Sequence, residues 1–147
     1  MKFLCDIMLG KLAKYLRILG FDAVYLRDAN LFHHYNKKED PRWLLTRRKT
    51  MLADQRTIFI KAQNVREQLK ELADLIKPAI DLDKVLTRCI NCNVPLVDVK
   101  KEMIEHRVPE FVFHRYDLFK ICPRCERVYW AGTHTEHMSQ LIEEMRG

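Results

Sequence analysis

The sequence predicts an α/β fold with a mainly parallel sheet, followed by a small cysteine-rich module and a closing helix. Short apolar runs alternate with helical patterns over the first half of the 147 residues, which is typical of βαβ units. Two C-x-x-C pairs then occupy the second half. A chain of this size buries roughly 68–70% of its unfolded surface, so it can form a real hydrophobic core.

The elements of the first part follow from apolar spacing. Four short apolar runs are predicted to be strands, at residues 2–6, 21–28, 42–46 and 57–60. Apolar residues recur at helical spacing over residues 8–19, and Gly20 ends this helix. A second helix is predicted over residues 64–77, with Asn64 as its N-cap. A strand, a helix and a strand in this order favour a parallel crossover.

The second part is predicted to begin near residue 81, which gives two domains, 1–80 and 81–147. Between the two cysteine pairs lie a short polar helical pattern at residues 99–107 and an alternating run at residues 111–116 that predicts a strand. Residues 133–146 predict the closing helix, with Thr133 and Glu136 as a capping box.

Composition and charge narrow the class of protein. Hydrophobic residues make up 48% of the chain and charged residues 31%, which is the balance of a soluble globular protein. Asp6 interrupts the start before an apolar run reaches signal-peptide length, and no stretch approaches the roughly 18 apolar residues of a spanning helix. We therefore expect a cytoplasmic protein without membrane association.

The formal net charge of +6 is unevenly distributed. Residues 1–80 hold 16 Lys and Arg against 9 Asp and Glu, whereas residues 81–147 hold 10 against 11. A positive excess is compatible with a role in solubility alone. Its segregation to the first part favours a nucleic acid or another polyanion as partner.

Four of the five cysteines form the array Cys89-x2-Cys92-x29-Cys122-x2-Cys125. Four thiolates suit a closed tetrahedral zinc site, in which each pair chelates from one tight turn. We therefore predict a structural Zn2+ bound by these residues, with no position left for a catalytic water. Iron is an alternative that the spacing leaves open.

Asp6 ends the first predicted strand, directly before a helix. Ligands in open α/β folds usually bind at the carboxyl ends of the strands, so this carboxylate could hold Mg2+ or Mn2+. The alternative is a helix N-cap, which stabilises the helix by about 1 kcal/mol and does no chemistry. Metal-assisted phosphodiester cleavage needs several acids, and the candidate partners are Asp28, after the second strand, and Asp54, after the third.

The tip of the third predicted strand carries cations. Arg47, Arg48 and Lys49 follow Thr46 directly. Cations at this position would repel a divalent metal ion and attract phosphates. The tip therefore favours the binding of an anion.

Four stretches together resemble a known family. They are "FLCDIMLGKLAKYLRILGFD", "RWLLTRR", "RCINCNVPL" and "CPRCERVYWAGTH". In this order they resemble the PIN-like RNase domain with an appended zinc ribbon that forms the C-terminal part of the Mutator-seven exoribonucleases and also occurs as free-standing prokaryotic proteins. The resemblance covers nearly the whole chain. Its "N-x-P-L" and "Y-W-x-G-x-H" motifs beside the cysteine pairs are highly specific.

The resemblance implies a PIN-like three-layer α/β domain, a metal-dependent RNase activity and a zinc ribbon with four cysteine ligands. Asp6 matches the first acid of the family, in a D-x-x-L-G motif, and Arg17 matches an arginine of the helix that follows. The four cysteines match the zinc ligands. The chain departs from the family at Arg48, where members usually carry an acid, and after Asp28, where the expected acid is unclear.

Two hypotheses follow from these residues. In the first, the protein is an RNase in which Asp6, together with Asp28 or Asp54, holds Mg2+ or Mn2+, with no small-molecule cofactor. Its candidate RNA-contacting residues are Lys14, Arg17, Arg47, Arg48 and Lys49. In the second, the protein is a non-catalytic RNA- or partner-binding member of the same fold that uses the basic edge around Arg47 and Arg48.

Overall fold

The computed structural model describes residues 1–49, 56–131 and 139–144. The first part of the chain contains β1 (Lys2–Cys5), α1 (Gly10–Ile18), β2 (Asp22–Tyr25), α2 (Phe32–Tyr35), β3 (Trp43–Thr46), β4 (Thr57–Phe59) and α3 (Val65–Ile76). The second contains β5 (Val97–Val99), α4 (Glu110–Arg115), β6 (Phe119–Ile121) and β7 (Val128–Trp130). Short 3-10 helices lie at Ile7–Leu9, Ala29–Leu31, Lys77–Ala79, Leu82–Lys84 and Lys101–Ile104. Residues 139–144 are helical.

The first four strands form one parallel sheet in the order β2-β1-β3-β4. Leu4 of the inner strand β1 pairs with Val24 on one side and Leu44 on the other. Because all four strands run in the same direction, their carboxyl ends share one edge of the sheet. The predicted α/β fold with a mainly parallel sheet is confirmed.

The alternating side chains of β1 enter a separate core on each face of the sheet. Phe3 and Cys5 are buried with residues of α1 and α3, among them Leu12. Leu4 is buried on the opposite face, where Phe32 of α2 packs against it. The sheet is thus a middle layer between helices, as the predicted three-layer arrangement requires.

The start of α3 and the end of α1 are formed as their sequences predict. The Asn64 side chain accepts a hydrogen bond from the Glu67 amide at 2.9 Å and caps α3. Gly20, after α1, has φ of +95°, and a Cβ there would lie 2.6 Å from the Lys84 carbonyl oxygen. The chain beyond residue 80 therefore packs closely against the end of α1, across the predicted domain boundary.

The second part contains an antiparallel sheet in the order β5-β6-β7. Beneath it, Ile104, Val112 and Phe119 form a small core of their own. This sheet and the neighbouring cysteine cluster are compatible with the predicted zinc ribbon.

The predicted strand at residues 111–116 is wrong, because these residues belong to the helix α4 or directly follow it. In a strand, Phe111 and Phe113 would share one face and Val112 would lie on the other. In the structure Phe111 is 69% exposed, whereas Val112 is buried. Val112, Phe113 and Tyr116 instead meet one core at helical spacing. Pro109 precedes the helix as its N-cap, where its missing amide costs nothing.

The closing helix packs on the first part of the chain. Leu141 and Ile142 are buried in the same core as α1 and α3. The proposed capping residues Thr133 and Glu136 lie outside the described residues. No helix in the described ranges has the length and apolar character needed to cross a membrane.

Candidate functional site

Asp6 lies at the carboxyl edge of the sheet, between the ends of β1 and β3. Its Oδ2 accepts the Thr46 hydroxyl at 2.5 Å and the Arg47 amide at 3.3 Å. Its Oδ1 accepts the Met8 amide at 2.9 Å, which caps the 3-10 helix that follows β1. The side chain therefore joins two strands, with 40 positions of sequence between the bonded residues.

These contacts limit the chemistry open to Asp6. The residue is only 3% exposed. A carboxylate has about four lone-pair directions, and three are already used by hydrogen bonds from the protein. About one direction remains for an additional ligand. The N-cap role considered from the sequence is confirmed, and a metal-binding role must share the carboxylate with it.

The cations after β3 lie on the same edge as Asp6. The Arg48 amide donates to the Thr46 hydroxyl at 3.0 Å, so this threonine accepts from the arginine loop while it donates to Asp6. Arg47 is half-buried and donates to the Lys61 carbonyl at 3.5 Å, whereas Arg48 and Lys49 are exposed. The backbone of Arg47 and Arg48 therefore lies at the same carboxyl edge as the Asp6 carboxylate.

The other predicted acids do not join Asp6 in a described cluster. Asp28 is exposed and caps a 3-10 helix by accepting the Asn30 amide at 2.9 Å. Asp54 lies outside the described residues. Within the described ranges, the only group of three or more potential metal ligands in mutual reach is the cysteine cluster.

Glu71, an exposed acid of α3, was not predicted as a site residue. Its two carboxylate oxygens accept the amides of Lys61 and Ala62, at 2.9 and 2.7 Å, just beyond the carboxyl end of β4. Glu71 is thus an acid held at the same edge of the sheet as Asp6. No sequence signal marked it, since a polar residue on the exposed face of a helix is ordinary.

Arg17 lies away from this edge and is only 7% exposed. Its Nε donates to the Ala23 carbonyl at 2.8 Å, and its Nη1 donates to the Ile90 carbonyl at 2.6 Å. Burial lowers the pKa of the guanidinium from its ordinary value. The side chain therefore connects α1, the sheet and the first cysteine pair. Because its donors face backbone carbonyls, we do not retain Arg17 as a phosphate contact.

Asn93, which follows the first cysteine pair, also contacts the start of β2. Its side chain accepts the Ala23 amide at 3.0 Å and donates to Asp22 at 2.7 Å. Burial alone raises the pKa of Asp22, but hydrogen bonds from Arg42 and Asn93 outweigh it and lower the pKa below its ordinary value. The cysteine-containing second part of the chain, from residue 81 onward, is called the ribbon below. It is thus joined to the outer strand β2 by a charge-assisted network.

The four cysteines meet as the sequence predicts. Their sulfurs all lie within 4.8 Å of one another. A tetrahedral Zn–S distance of about 2.3 Å places sulfurs roughly 3.8 Å apart, and the Sγ atoms of Cys89 and Cys125 are 3.7 Å apart. The cluster is therefore close enough to hold a zinc ion.

Both cysteine pairs lie in loops of the same construction. The residue after each pair, Asn93 or Glu126, has φ of +62° or +63° and donates its amide to the carbonyl of the first cysteine at 2.9 Å. Amides also face the sulfurs, with Cys92 donating to Cys89 and Cys125 donating to Cys122 at 3.4 Å. Donors of this kind stabilise thiolates that bind a metal ion.

Tyr129 supports the cluster from β7. Its hydroxyl oxygen lies 3.2 Å from Cys89 Sγ and accepts the Ile90 amide at 3.1 Å, which leaves its proton to donate to the sulfur. Burial raises the pKa of Cys89, but the Tyr129 bond and the loop amides outweigh it and lower the pKa to about 7. Tyr129 and Asn93 both belong to the motifs that carry the family resemblance, although neither was assigned a role from the sequence.

Comparison with family models decides the relationship. The model of the Mut7-C RNAse domain matches residues 1–142. The chain belongs to the Mut7-C RNAse domain family. The match includes the Asp6 edge, the cysteine cluster and most of the closing helix, so the Mut7-C assignment covers every site described above. Comparisons with curated proteins and with solved structures gave no significant match.

Proposed function

We propose that the protein is a metal-dependent ribonuclease that cleaves RNA phosphodiesters at the edge marked by Asp6. The observation that supports this most strongly is the match to the Mut7-C RNAse domain over residues 1–142. The position of Asp6 at the carboxyl edge of a parallel sheet, where α/β folds usually bind ligands, is consistent with it.

In this proposal the acids at the edge bind the metal ion, and the cations bind the substrate. The remaining oxygen direction of Asp6 would bind Mg2+ or Mn2+, ions that often take one or two protein carboxylates together with substrate phosphates. Asp28 and Asp54 are the candidate second acids. Such an ion supplies a Lewis acid and lowers the pKa of bound water. Arg47, Arg48 and Lys49 would attract and orient the RNA phosphates.

Cleavage of a labelled RNA in the presence of Mn2+ tests the proposal. Asp6→Asn should abolish cleavage, since the remaining oxygen direction loses its charge while the oxygen that accepts from Met8 is retained. Asp28→Asn should reduce cleavage if this acid helps to hold the ion. Zinc content and the circular dichroism spectrum serve as folding controls. Robust cleavage by folded Asp6→Asn protein would exclude the mechanism.

A second candidate is a non-catalytic RNA-binding protein that uses the basic edge around Arg47 and Arg48. Two observations favour it: three hydrogen bonds already engage Asp6, and no described acid cluster surrounds it. It predicts RNA binding without cleavage, weakened strongly by Arg47→Glu with Arg48→Glu. Unchanged binding by that double variant would rule out the basic edge as the binding surface.

We also propose that Cys89, Cys92, Cys122 and Cys125 hold a structural Zn2+. The sulfur spacing and the amide donors support this proposal. All four positions of a tetrahedral ion are then filled by sulfur, so the ion stabilises the fold and takes no part in cleavage. Metal analysis of the purified protein should give one zinc per chain, and a chelator should lower the unfolding temperature.

A further inference from the structure

A cleft of about 910 Å3 lies beside the outer strand β2, between α1 and the two cysteine loops. Lys11 and Lys14 of α1 line one wall, and Asn91 and Arg124 of the cysteine loops line another. The lining includes neither Asp6 nor the basic edge at residues 47–49. The cleft is therefore a different surface from the proposed cleavage site.

The lining of this cleft is strongly cationic. Its six basic residues are Lys11, Lys14, Arg17, Arg27, Arg42 and Arg124. The lining contains one acid, Asp22, whose oxygens already accept from Arg42 and Asn93. Among the described residues, no ion pair forms with Lys11, Lys14, Arg27 or Arg124, and these four side chains are exposed. Four uncompensated cations therefore face one cavity, an arrangement that attracts a polyanion.

The docking of the ribbon builds this charge cluster. Lys11, Lys14 and Arg17 follow one another at intervals of three residues and share a side of α1. The third of them turns inward to the Ile90 carbonyl and thereby holds the cysteine loops against the helix. Arg124 of the second loop is brought to the same cleft as the lysines. Neither part of the chain forms the cleft alone.

Two tyrosines complete the lining. Tyr25 and Tyr35 are both half-buried in the cleft. The Tyr25 hydroxyl donates to the Ile7 carbonyl at 2.6 Å, which fixes its ring, and the Arg27 guanidinium lies 5.8 Å from the ring centroid. Ile7 directly follows Asp6, so this end of the cleft adjoins the carboxyl edge of the sheet.

We propose that this cleft binds single-stranded RNA, with phosphates on Lys11, Lys14, Arg27 and Arg124 and a base against Tyr35. Cationic grooves with aromatic rings are the usual means of binding single strands, and rings of this kind are accessible to unstacked bases rather than to a duplex. The inference rests on the proposed function and adds a path for the RNA: it lies between the catalytic part and the ribbon and reaches Asp6 past Tyr25.

The test measures binding apart from cleavage. Fluorescence anisotropy of the zinc-loaded full chain is recorded with a labelled RNA of about 12 nucleotides, in buffer free of magnesium and manganese. The cleft variant carries Lys11→Glu, Lys14→Glu and Arg124→Glu. The matched control carries Lys70→Glu, Lys100→Glu and Arg115→Glu, which are exposed cations outside the cleft. Zinc content and tryptophan emission establish that both variants are folded.

The cleft variant should bind at least about ten-fold more weakly than the wild type, while the control should stay within about three-fold. Each phosphate contact on a single strand contributes about 0.7 to the slope of log affinity against log salt, so loss of three contacts should reduce that slope by about 2. Tyr35→Leu should weaken binding by about five-fold or more through lost stacking.

The outcomes separate this inference from the proposed function. Full RNA binding by the cleft variant, together with loss of binding in the Arg47→Glu, Arg48→Glu variant, overturns the cleft and leaves the RNase proposal standing. Tight binding in the cleft without any cleavage in Mn2+ supports the cleft and overturns the RNase proposal. Equal binding of polyglutamate and RNA, unaffected by Tyr35→Leu, overturns the assignment to nucleic acid. Absence of RNA binding by the wild type overturns the inference outright.

Discussion

Replacement of Arg17 tests the docking of the ribbon most directly. Its guanidinium donates to the carbonyls of Ala23 and Ile90 at 2.8 and 2.6 Å, and the second bond spans 73 residues of sequence. Arg17→Met retains an apolar stem but leaves both carbonyls without their donor. A hydrogen bond from a charged donor contributes about 1.5–3 kcal/mol, so loss of both bonds should lower the free energy of unfolding by about 3–6 kcal/mol.

Two tryptophans allow the two parts of the chain to be followed separately. Trp43 lies in β3 and Trp130 lies in β7. Urea unfolding is therefore measured in Trp43→Phe and Trp130→Phe backgrounds. With Arg17 present, the two signals should change together. With Arg17→Met, the Trp130 signal should change first, at a midpoint lower by about 1.5–3 M for a slope of about 2 kcal/mol per molar urea.

Two controls define the cause. Arg17→Lys keeps a charge but presents a single ammonium, which cannot replace a fork that reaches two carbonyls, so it should recover only part of the loss. Arg27→Met removes an exposed arginine whose guanidinium contacts only the Tyr25 ring among the contacts described, and should cost no more than about 1 kcal/mol. A cost below about 1 kcal/mol for Arg17→Met, with coincident transitions, would refute the assignment of Arg17 as the connection between the two parts.

Three further changes have defined outcomes. Tyr129→Phe removes the donor to Cys89 and should weaken zinc binding about ten-fold in competition with a chelator. Gly20→Ala places a Cβ 2.6 Å from the Lys84 carbonyl at φ of +95° and should lower the free energy of unfolding by more than about 2 kcal/mol in urea. The folded state lowers the pKa of Asp22, so this carboxylate should stabilise the protein fully above its unfolded pKa of about 3.9. The stabilisation should be lost as the pH falls through the folded pKa. The difference in free energy of unfolding between wild type and Asp22→Asn, measured in urea, should therefore shrink below about pH 4.

Each of these changes has a matched comparison. Tyr116→Phe alters another tyrosine of the ribbon core and should leave zinc affinity unchanged. Gly10→Ala lies in helical backbone, 3.2 Å from a tyrosine ring, and should change stability by less than about 1 kcal/mol. A wild type and an Asp22→Asn variant that lose stability in parallel below about pH 4 would contradict the proposed network around Asp22.

Local patterns in the sequence determined most of the secondary structure of the first part and the four cysteines of the cluster. The helix over residues 8–19 and its end at Gly20 follow from apolar period and backbone freedom, and both are present. The cysteine array specified its four members through a two-residue spacing that a tight turn can satisfy. The strand predicted from the alternation at residues 111–116 was wrong, because so short an apolar run fits a strand and a short helix almost equally well.

The chemical surroundings of the key side chains were decided only by the tertiary structure. Asp6 and Arg17 were both recognised as notable residues, but their partners lie 40 and 73 positions away. A hydrophobic period or a motif describes residues that are close in sequence. The partners of Asp6 and Arg17 are far away in sequence, and only folding brings them within hydrogen-bond distance. The sequence alone therefore determined the four strands of the parallel sheet, the helices α1 and α3 and the four cysteines of the cluster. Only the packing of the ribbon against β2 turned Arg17 inward and placed Arg124 opposite Lys11 and Lys14 in one cleft.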